Sequence, residues 1–540
     1  MATVDQANPA REVLNQAPPL EPINLFEVDL ALREALEREG GQWGVDRAGE
    51  AGAAAGTVAT LEHSRRAERN EPVLHTHDRY GNRIDEVELD PSWHVLLRGA
   101  VEREIHSLPW REQRAGAHVV RAALFMLWSN ANGGVMCPVS MTHAVVPALR
   151  DSAPAIAAEW EPRLTRPDYE RGALAGMAMT ERQGGSDVRA NITRADPVGD
   201  AVYELHGHKW FCSYPPCDVF LVLARAPGGL SCFFVERGPA MEFQRLKDKL
   251  GTRSLASSEV EFRGIHGRLV GEEGRGVPAI IRMVNHTRVD CLLGSATAMR
   301  RAVVEAIHHA RHRSAFGALL SDQPAMRNVL ADLALESEAA TVAAMRVARA
   351  YDDSEAPLRR FATAVMKYWV CKRAAGQVGE ALECLGGNGY VEDSGMPLLY
   401  RDAPLASIWE GSGNVSALDV LRAMAKEPQG LPAFLAECEL ASGGDQRLDA
   451  HLARVRADAE SLFADDGRSP EARLYHGQFG ARRMVEDLGV ALQASLLVRH
   501  APSAVADAFC AARLGGGGRA YGTLPAGVDA AAIIERALPA

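Results

Sequence analysis

Residues 408–414 read Ile408, Trp409, Glu410, Gly411, Ser412, Gly413, Asn414. A glutamate stands before a glycine turn, and a helical pattern begins near Ser412. A carboxylate held there can face a cleft, and the amide donors of the following helix suit an anion. Taken alone, the plainer reading is an acid that complements the helix macrodipole. Just upstream, Leu385, Gly386, Gly387, Asn388, Gly389, Tyr390 closes a helix expected over roughly 356–384.

Working outward, Met326, Val329, Leu330 and Leu333 repeat at i, i+3, i+4 and i+7, the stripe of a helix that buries one face. Asp322 with Pro324 supplies its start signal. The run GEEGRG at 271–276 opens this helical part. Before it, from about Gly172, apolar runs are short and bounded by turn residues. Val219 to Ala224 and Cys232 to Val235, separated by Pro227, Gly228 and Gly229, read as a hairpin. Val260 and Phe262 alternate onto one face of a further strand. From about Leu25 to Arg150 the pattern is mostly helical, with 48–60 read as loop or helix. The first ~20 residues form an extended arm. Beyond about 430 lies a last helical region, with Gly443, Gly444 and Gly515 to Gly518 in loops. The fold class is therefore α+β, mostly α. The expected domains are 1–172 (arm and helices), 173–272 (β), 273–430 (helices) and 431–540 (extra C-terminal helices).

Three more segments carry chemistry. Met177, Ala178, Met179, Thr180, Glu181, Arg182, Gln183, Gly184, Gly185, Ser186, Asp187 joins the first helical region to the strands. Its glycines let backbone N–H groups approach a phosphate or a flavin edge, although such a turn is common. Phe211, Cys212 and Ser213 follow Lys209 and Trp210. An aromatic beside a hydroxyl at a strand end can cover a flavin face and bond its edge. Arg313, followed by Phe316, Gly317 and Gln323, is placed to pair with a pyrophosphate.

MTERQGGSD, KWFCS, RxxFG, LGGNGY and WEGSGN occur in this order in a helix–strand–helix chain. The sequence thereby resembles the acyl-CoA dehydrogenase family over about residues 115–425. GHKWFCS, KDKLGTRS and IWEGSGN, with the extra C-terminal region, resemble its alkylation-response (AidB-type) branch nearly full length. The resemblance implies a helical N-terminal domain, a β-barrel-like middle domain, a four-helix bundle and a further helical domain. It implies FAD between the β-domain and the bundle, an acyl-CoA or related substrate, and a homotetramer. Thr180 and Ser186 would touch the flavin ring and pyrophosphate region. Phe211 and Ser213 would sit against the ring, where the family usually has Trp and Thr. Arg313 and Gln323 would hold the adenine-side phosphates of a neighbouring subunit's FAD, with Gly386, Gly387 and Gly389 allowing close approach. Met177, Ala178, Met179, Gly184, Gly185, Cys212, Ile408, Trp409, Gly411, Ser412, Gly413 and Asn414 complete the implied cofactor set. Glu410 matches the family's general base. A thioester α-proton is a weak acid, so its removal needs a positioned base in a water-poor site. Burial should raise the pKa of Glu410 and strengthen it for this task.

The chain has 540 residues, 47% hydrophobic and 24% charged, with a net charge of −11. This is globular composition, sufficient for ~3 to 4 domains. Its acidity offers nucleic acid no general attraction. Nine scattered cysteines without a CxxC pair argue for reduced thiols in a cytoplasmic protein and against zinc. No export signal or apolar span is read. His308 and His312, an i, i+4 pair, read as a solvated helix face, so no metal is expected. The alkylation-response branch raises an alternative: a DNA-binding flavoprotein that protects or repairs alkylated DNA, with duplex DNA held by the C-terminal domain. That region has eleven arginines, no lysine and fourteen acids, a net charge of −3. Arg482, Arg483, Arg499, Arg513 and Arg519 would have to gather on one surface.

Overall fold

The computed structural model describes residues 13–353, 355–463, 467, 469–516, 518 and 520–539. Its sheet domain contains the strands β3 (Ala175–Ala178), β4 (Arg194–Gly199), β5 (Val202–Ser213), β6 (Val219–Ala226), β7 (Gly229–Glu236), β8 (Met241–Leu246) and β9 (Ser257–Val270). Hydrogen-bonded neighbours run β6-β4-β5-β9-β7, and β7 pairs again with β6, so the sheet closes on itself. β3 extends it beside β6, and β8 beside β9. The expected hairpin is β6–β7, with Ala226 opposite Gly229. Phe220, Val222, Phe233 and Val235 are fully buried on those two strands, which explains their continuous apolar runs.

Four helices form the bundle: Gly276–His312, Pro324–Asp352, Ala356–Cys384 and Gly413–Lys426. Alanines such as Ala296, Ala340, Ala343 and Ala374 are fully buried where these helices pack, and small side chains allow the close approach. The second bundle helix begins at Pro324, with Gln323 as its N-cap; Asp322 lies one short turn earlier. The fourth begins just after Ser412, where its start was expected. Ahead of the sheet, Ala117–Ser129 and Met136–Ser152 pack on the first bundle helix. Arg121 and Asp290 join the two parts as a buried ion pair, Nη2 to Oδ2 2.8 Å. Beside it His118, His143 and His286 pack their rings 5.4 to 6.0 Å apart. Burial holds all three well below the ordinary histidine pKa.

Within the mostly helical first region the structure contains a hairpin, β1 (Val73–His77) with β2 (Arg83–Glu88). Each strand turns a single apolar side chain, Leu74 or Val87, toward the core and is otherwise largely exposed, too little for hydrophobic periodicity to mark it. Asp78 builds the turn by accepting from the amides of Tyr80 and Asn82 at 2.8 and 2.9 Å. The segment 48–60 is helical, from Val45–Ala55 into Val58–Arg69.

The extra C-terminal helices are Gly430–Glu439, Gln446–Phe463, Pro470–His500, Ser503–Arg513 and Ala530–Ala537. They are bolted to the bundle by buried ion pairs. Glu336 accepts from Arg373 and Arg513 at 2.9 Å each, and Glu437 accepts from Arg346 and Arg499 at 2.7 Å each. No helix among the described residues is long and apolar enough to cross a membrane.

Candidate active site

The turn at Glu410 takes an unusual backbone path. Glu410 has φ +56° and Gly411 φ +105°. The left-handed region costs a non-glycine residue about 1–3 kcal/mol, so the surroundings must impose it. They do so through the main chain. Arg288 Nε of the first bundle helix donates to the Glu410 carbonyl at 3.0 Å. Lys367 Nζ of the third donates to the carbonyls of Trp409, at 3.0 Å, and Gly411. Ser416 Oγ adds a bond to the Gly411 carbonyl at 3.1 Å. Arg288 is itself held by Asp419 at 2.7 Å, and Arg360 reaches the same carboxylate at 2.9 Å. Lys367, Arg288 and Asp419 are all buried.

The side chain of Glu410 is thereby fixed without its own ion pair. Its Oε2 is enclosed and has no hydrogen-bond partner among the described residues. Burial pushes its pKa above the ordinary carboxylate value, against the opposing pull of the Thr287 hydroxyl, Arg288 and Lys367.

A polar strand end and a buried acid–base pair build the facing wall. Glu181 and Lys209 pair at 2.8 Å, fully buried, and Lys209 also donates to the Leu223 carbonyl at 2.6 Å. Burial alone would raise the Glu181 carboxyl, but Lys209 and the amides of Ile192 and Thr193 hold it at about 2. This pair anchors the 177–187 segment to β5, as does the bond from the Trp210 amide to the Thr180 carbonyl at 2.9 Å. A Cβ at Gly185 would sit 2.7 Å from Thr180 Oγ1, so the turn there requires glycine. Gly184 and Ser186 stay open, and nothing lies within 4 Å of a Cβ at Gly184. At the end of β5, Phe211 is 49% exposed, although it is an apolar ring. Cys212 is buried, which leaves only its backbone to the cleft. Ser213 Oγ faces Ser257 Oγ at 3.5 Å.

Cys137, at the start of its helix, joins the two walls. Its thiol lies beside the Ser213 hydroxyl and senses both Lys249 and Glu410, and burial pushes its pKa up to about 12. So Glu410 and Ser213 are brought together around Cys137.

Arg313, Gln323 and Gly386 to Gly389 are not. They lie where the first and third bundle helices end, about 25–40 Å further along the helix axes than Arg288 and Lys367. There Gln323 Nε2 donates to the Ala315 carbonyl at 3.0 Å. The N-terminal arm crosses this end. Arg313 Nη1 donates to the Asn15 carbonyl at 2.5 Å, the Ser314 amide to Asn15 Oδ1 at 2.6 Å, and Asn388 Nδ2 to Gln16 Oε1 at 2.9 Å. Phe316 at the tip of the 314–319 hairpin is fully exposed. A Cβ at Gly386 or Gly387 would meet nothing within 4 Å, whereas one at Gly389 would sit 2.2 Å from the Leu382 carbonyl.

Three family descriptions match this arrangement in order. Residues 15–171 match the adaptive response protein AidB N-terminal domain, 176–265 the acyl-CoA dehydrogenase middle domain, and 274–425 the acyl-CoA dehydrogenase C-terminal domain. The chain is 43% identical to the AidB protein of Escherichia coli over 493 residues, 87% of this chain and 91% of that one. The chain belongs to the acyl-CoA dehydrogenase family, in its AidB-type branch. It is also 33% identical to acyl-CoA dehydrogenase family member 11 of Caenorhabditis elegans over 438 residues, 75% of this chain and 71% of that one. The crystal structure of C. elegans ACDH-11 in complex with C11-CoA superposes with a TM-score of 0.84 at 29% identity, covering 93% of this chain and 91% of that chain. Members of the acyl-CoA dehydrogenase family bind FAD, and this chain is a flavoenzyme of that type.

Sequence reasoning missed Arg288, Lys367, Asp419, Lys249 and Cys137. For Lys367 a signal existed: it is a cation inside an otherwise apolar helical stretch, AVMKYWV. Such residues are rarely buried unless partnered. Of the five arginines singled out in the C-terminal region, Arg499 and Arg513 are bound to buried carboxylates of Glu437, Asp332 and Glu336. Arg482 and Arg483 are exposed. Arg519 lies outside the described residues.

Proposed function

We propose that this acyl-CoA dehydrogenase-family flavoenzyme oxidises an acyl-CoA, with Glu410 as the base that takes the α-proton of the thioester. The observation that carries this reading is the enclosed, unpartnered Oε2 of Glu410 on a turn that buried cations force into shape. The residues present fit a flavin in the cleft: an exposed apolar ring at Phe211, a hydroxyl at Ser213, and open backbone at Gly184. Bound FAD supplies the hydride acceptor at its N5, for the hydrogen on the β-carbon. Thr180, Ser186, Phe211 and Ser213 would hold that cofactor. Glu410 takes a proton from the α-carbon onto its carboxylate, and burial favours the neutral acid that results. Arg288 and Lys367 bind carbonyls rather than the carboxylate, so they fix the base without neutralising it. The acyl-CoA assignment takes support from the C11-CoA complex of the C. elegans relative. The remote placement of Arg313, Gln323 and Gly386 to Gly389 supports their service to a neighbouring subunit's FAD, within a homotetramer.

Anaerobic titration of the FAD-loaded protein with a series of acyl-CoAs tests the reading. A suitable acyl-CoA bleaches the flavin of the parent protein, and Glu410→Gln retains FAD but loses bleaching by at least a hundredfold. Unchanged bleaching in Glu410→Gln would remove Glu410 as the base.

One surface favours the second reading, DNA association. On Pro470–His500, Tyr475 and Phe479 are exposed and stacked 6.2 Å apart, near the exposed Arg482 and Arg483. Salt-sensitive retention on duplex DNA that Arg482→Ala with Arg483→Ala removes would support it; no retention at low salt would sink it.

A further inference from the structure

Lys249 sits on the 247–256 loop between β8 and β9, a charged residue that neither the base turn nor the Glu181 pair uses. Its Nζ donates to the Leu255 carbonyl at 2.5 Å and to Ser257 Oγ at 3.1 Å. Ser257 is the register partner of Ser213 across the antiparallel β5–β9 pair, which is why their hydroxyls meet at 3.5 Å. The Cys137 thiol approaches Ser213 from the helical side. An ammonium, two hydroxyls and a thiol thus follow one another, and the thiol also senses Glu410 of the bundle.

Lys249 forms no ion pair within 4 Å among the described residues, although Glu68, Glu71 and Asp402 are near it. Those acids have other engagements. Glu68 accepts from the Arg253 amide at 2.9 Å and from Ser254, and Glu71 binds Arg253 at 2.6 Å. Asp402 accepts from the Thr252 amide at 2.6 Å, and its burial beside Glu68 pushes its carboxyl up to about 7. Burial brings the Lys249 ammonium down to about 8, so it remains mostly charged at neutral pH. A charge in a site of low dielectric acts over several ångströms.

We propose that Lys249 is a positioning residue for the flavin: through Ser257 it sets a positive charge behind the Ser213 hydroxyl and raises the reduction potential of FAD in this cleft. The inference rests on the flavin lying against Ser213, as in the proposed function. A cation behind that contact favours the more negative of the cofactor's two redox states. It also fixes the direction of the Ser257 hydroxyl, which accepts from the ammonium and so turns its own proton toward Ser213.

Dye-equilibrated midpoint potentials of the FAD-loaded protein at pH 7 test this. Lys249→Met is expected to shift the two-electron equilibrium at least tenfold toward oxidised flavin, a fall of about 30 mV. Lys249→Arg keeps the charge and holds most of the parent potential. Ser257→Ala, which leaves Lys249 in place, lowers the potential by a smaller amount in the same direction. An unchanged potential in Lys249→Met overturns the inference. Should Lys249→Met fail to hold FAD, Ser257→Ala decides, and an unchanged potential there overturns it. A parent protein that takes up no FAD overturns the flavin reading itself, whereas the other outcomes concern Lys249 alone.

Discussion

The Glu410 turn and the Arg313 end of the bundle are both glycine-containing breaks between helices, but opposite means hold them. At Glu410, buried Arg288 and Lys367 grip three consecutive carbonyls from inside the bundle. At the other end, the hairpin and the Gly386–Tyr390 turn lie open, with Phe316 fully exposed and Tyr390 84% exposed. There the ties come from outside, through Asn15 and Gln16 of the arm. The turn proposed to present a base is made rigid within one chain. A surface left apolar, exposed and rich in open backbone is shaped to receive something more.

If that contrast is right, the largest effect on stability comes from removing the support of the inner clamp. Asp419 carries Arg288 and Arg360. Asp419→Ala leaves a buried guanidinium unpaired and is expected to destabilise the protein by about 3–5 kcal/mol. Denaturant unfolding of the variant beside the parent checks it. A loss under about 1 kcal/mol, in the range of surface pairs, would mean that the clamp is ornamental.

Lys367→Met is expected to be milder in stability, at about 1–3 kcal/mol, since the Trp409 carbonyl loses its ammonium donor while the Gly411 carbonyl keeps Ser416. Its sharper consequence is in pH. Lys367 pulls the Glu410 carboxyl down, against burial. Removing the cation raises that pKa further, so the acid limb of flavin bleaching moves to higher pH. In the parent protein the limb is already expected above the ordinary carboxylate value. The same shift acts on stability with the opposite sense to a salt-bridged acid. Between the unfolded and folded pKa values the unfolded chain gives up its proton first, so stability falls as pH rises through that window. Glu410→Gln removes the slope. A limb that stays in place in Lys367→Met would show that the ammonium serves the backbone only.

Much of this contrast was legible in the chain, but unevenly. The third bundle helix was predicted over 356–384 and spans Ala356–Cys384, because its apolar stripe is long and its ends are marked by proline and a glycine pair. The β6–β7 hairpin was equally plain. The β1–β2 hairpin was hidden, since only Leu74 and Val87 mark its inner face and further support comes from Arg83 and Asp85 bonding the Phe243 backbone, a contact far apart in sequence. The base turn was recognisable from its motif, but its mechanics were not. Arg288 and Asp419 are 131 positions apart, and nothing local shows that they meet. Cys137 was read as one of nine scattered thiols, because its neighbours Ser213 and Lys249 come from other parts of the fold.

The smallest effect on the isolated chain should come from the open end, and it sharpens the contrast most. Arg313 is partly exposed, and among the described residues its guanidinium bonds only a main-chain carbonyl of the arm. Arg313→Ala should therefore change unfolding stability by less than about 0.5 kcal/mol, as surface substitutions usually do. If Arg313 serves a neighbouring subunit's FAD, the same change should weaken FAD binding about tenfold or more, since a lost charge-assisted phosphate contact is worth 1.5–3 kcal/mol in general. Equilibrium FAD titration and unfolding of one preparation read both quantities together. An inner-clamp variant moves stability first and cofactor affinity as a consequence. An open-end variant moves affinity alone. Should Arg313→Ala lower stability and leave FAD affinity untouched, the open end would be a structural seam between the arm and the bundle, and its exposed ring and glycines would need another explanation.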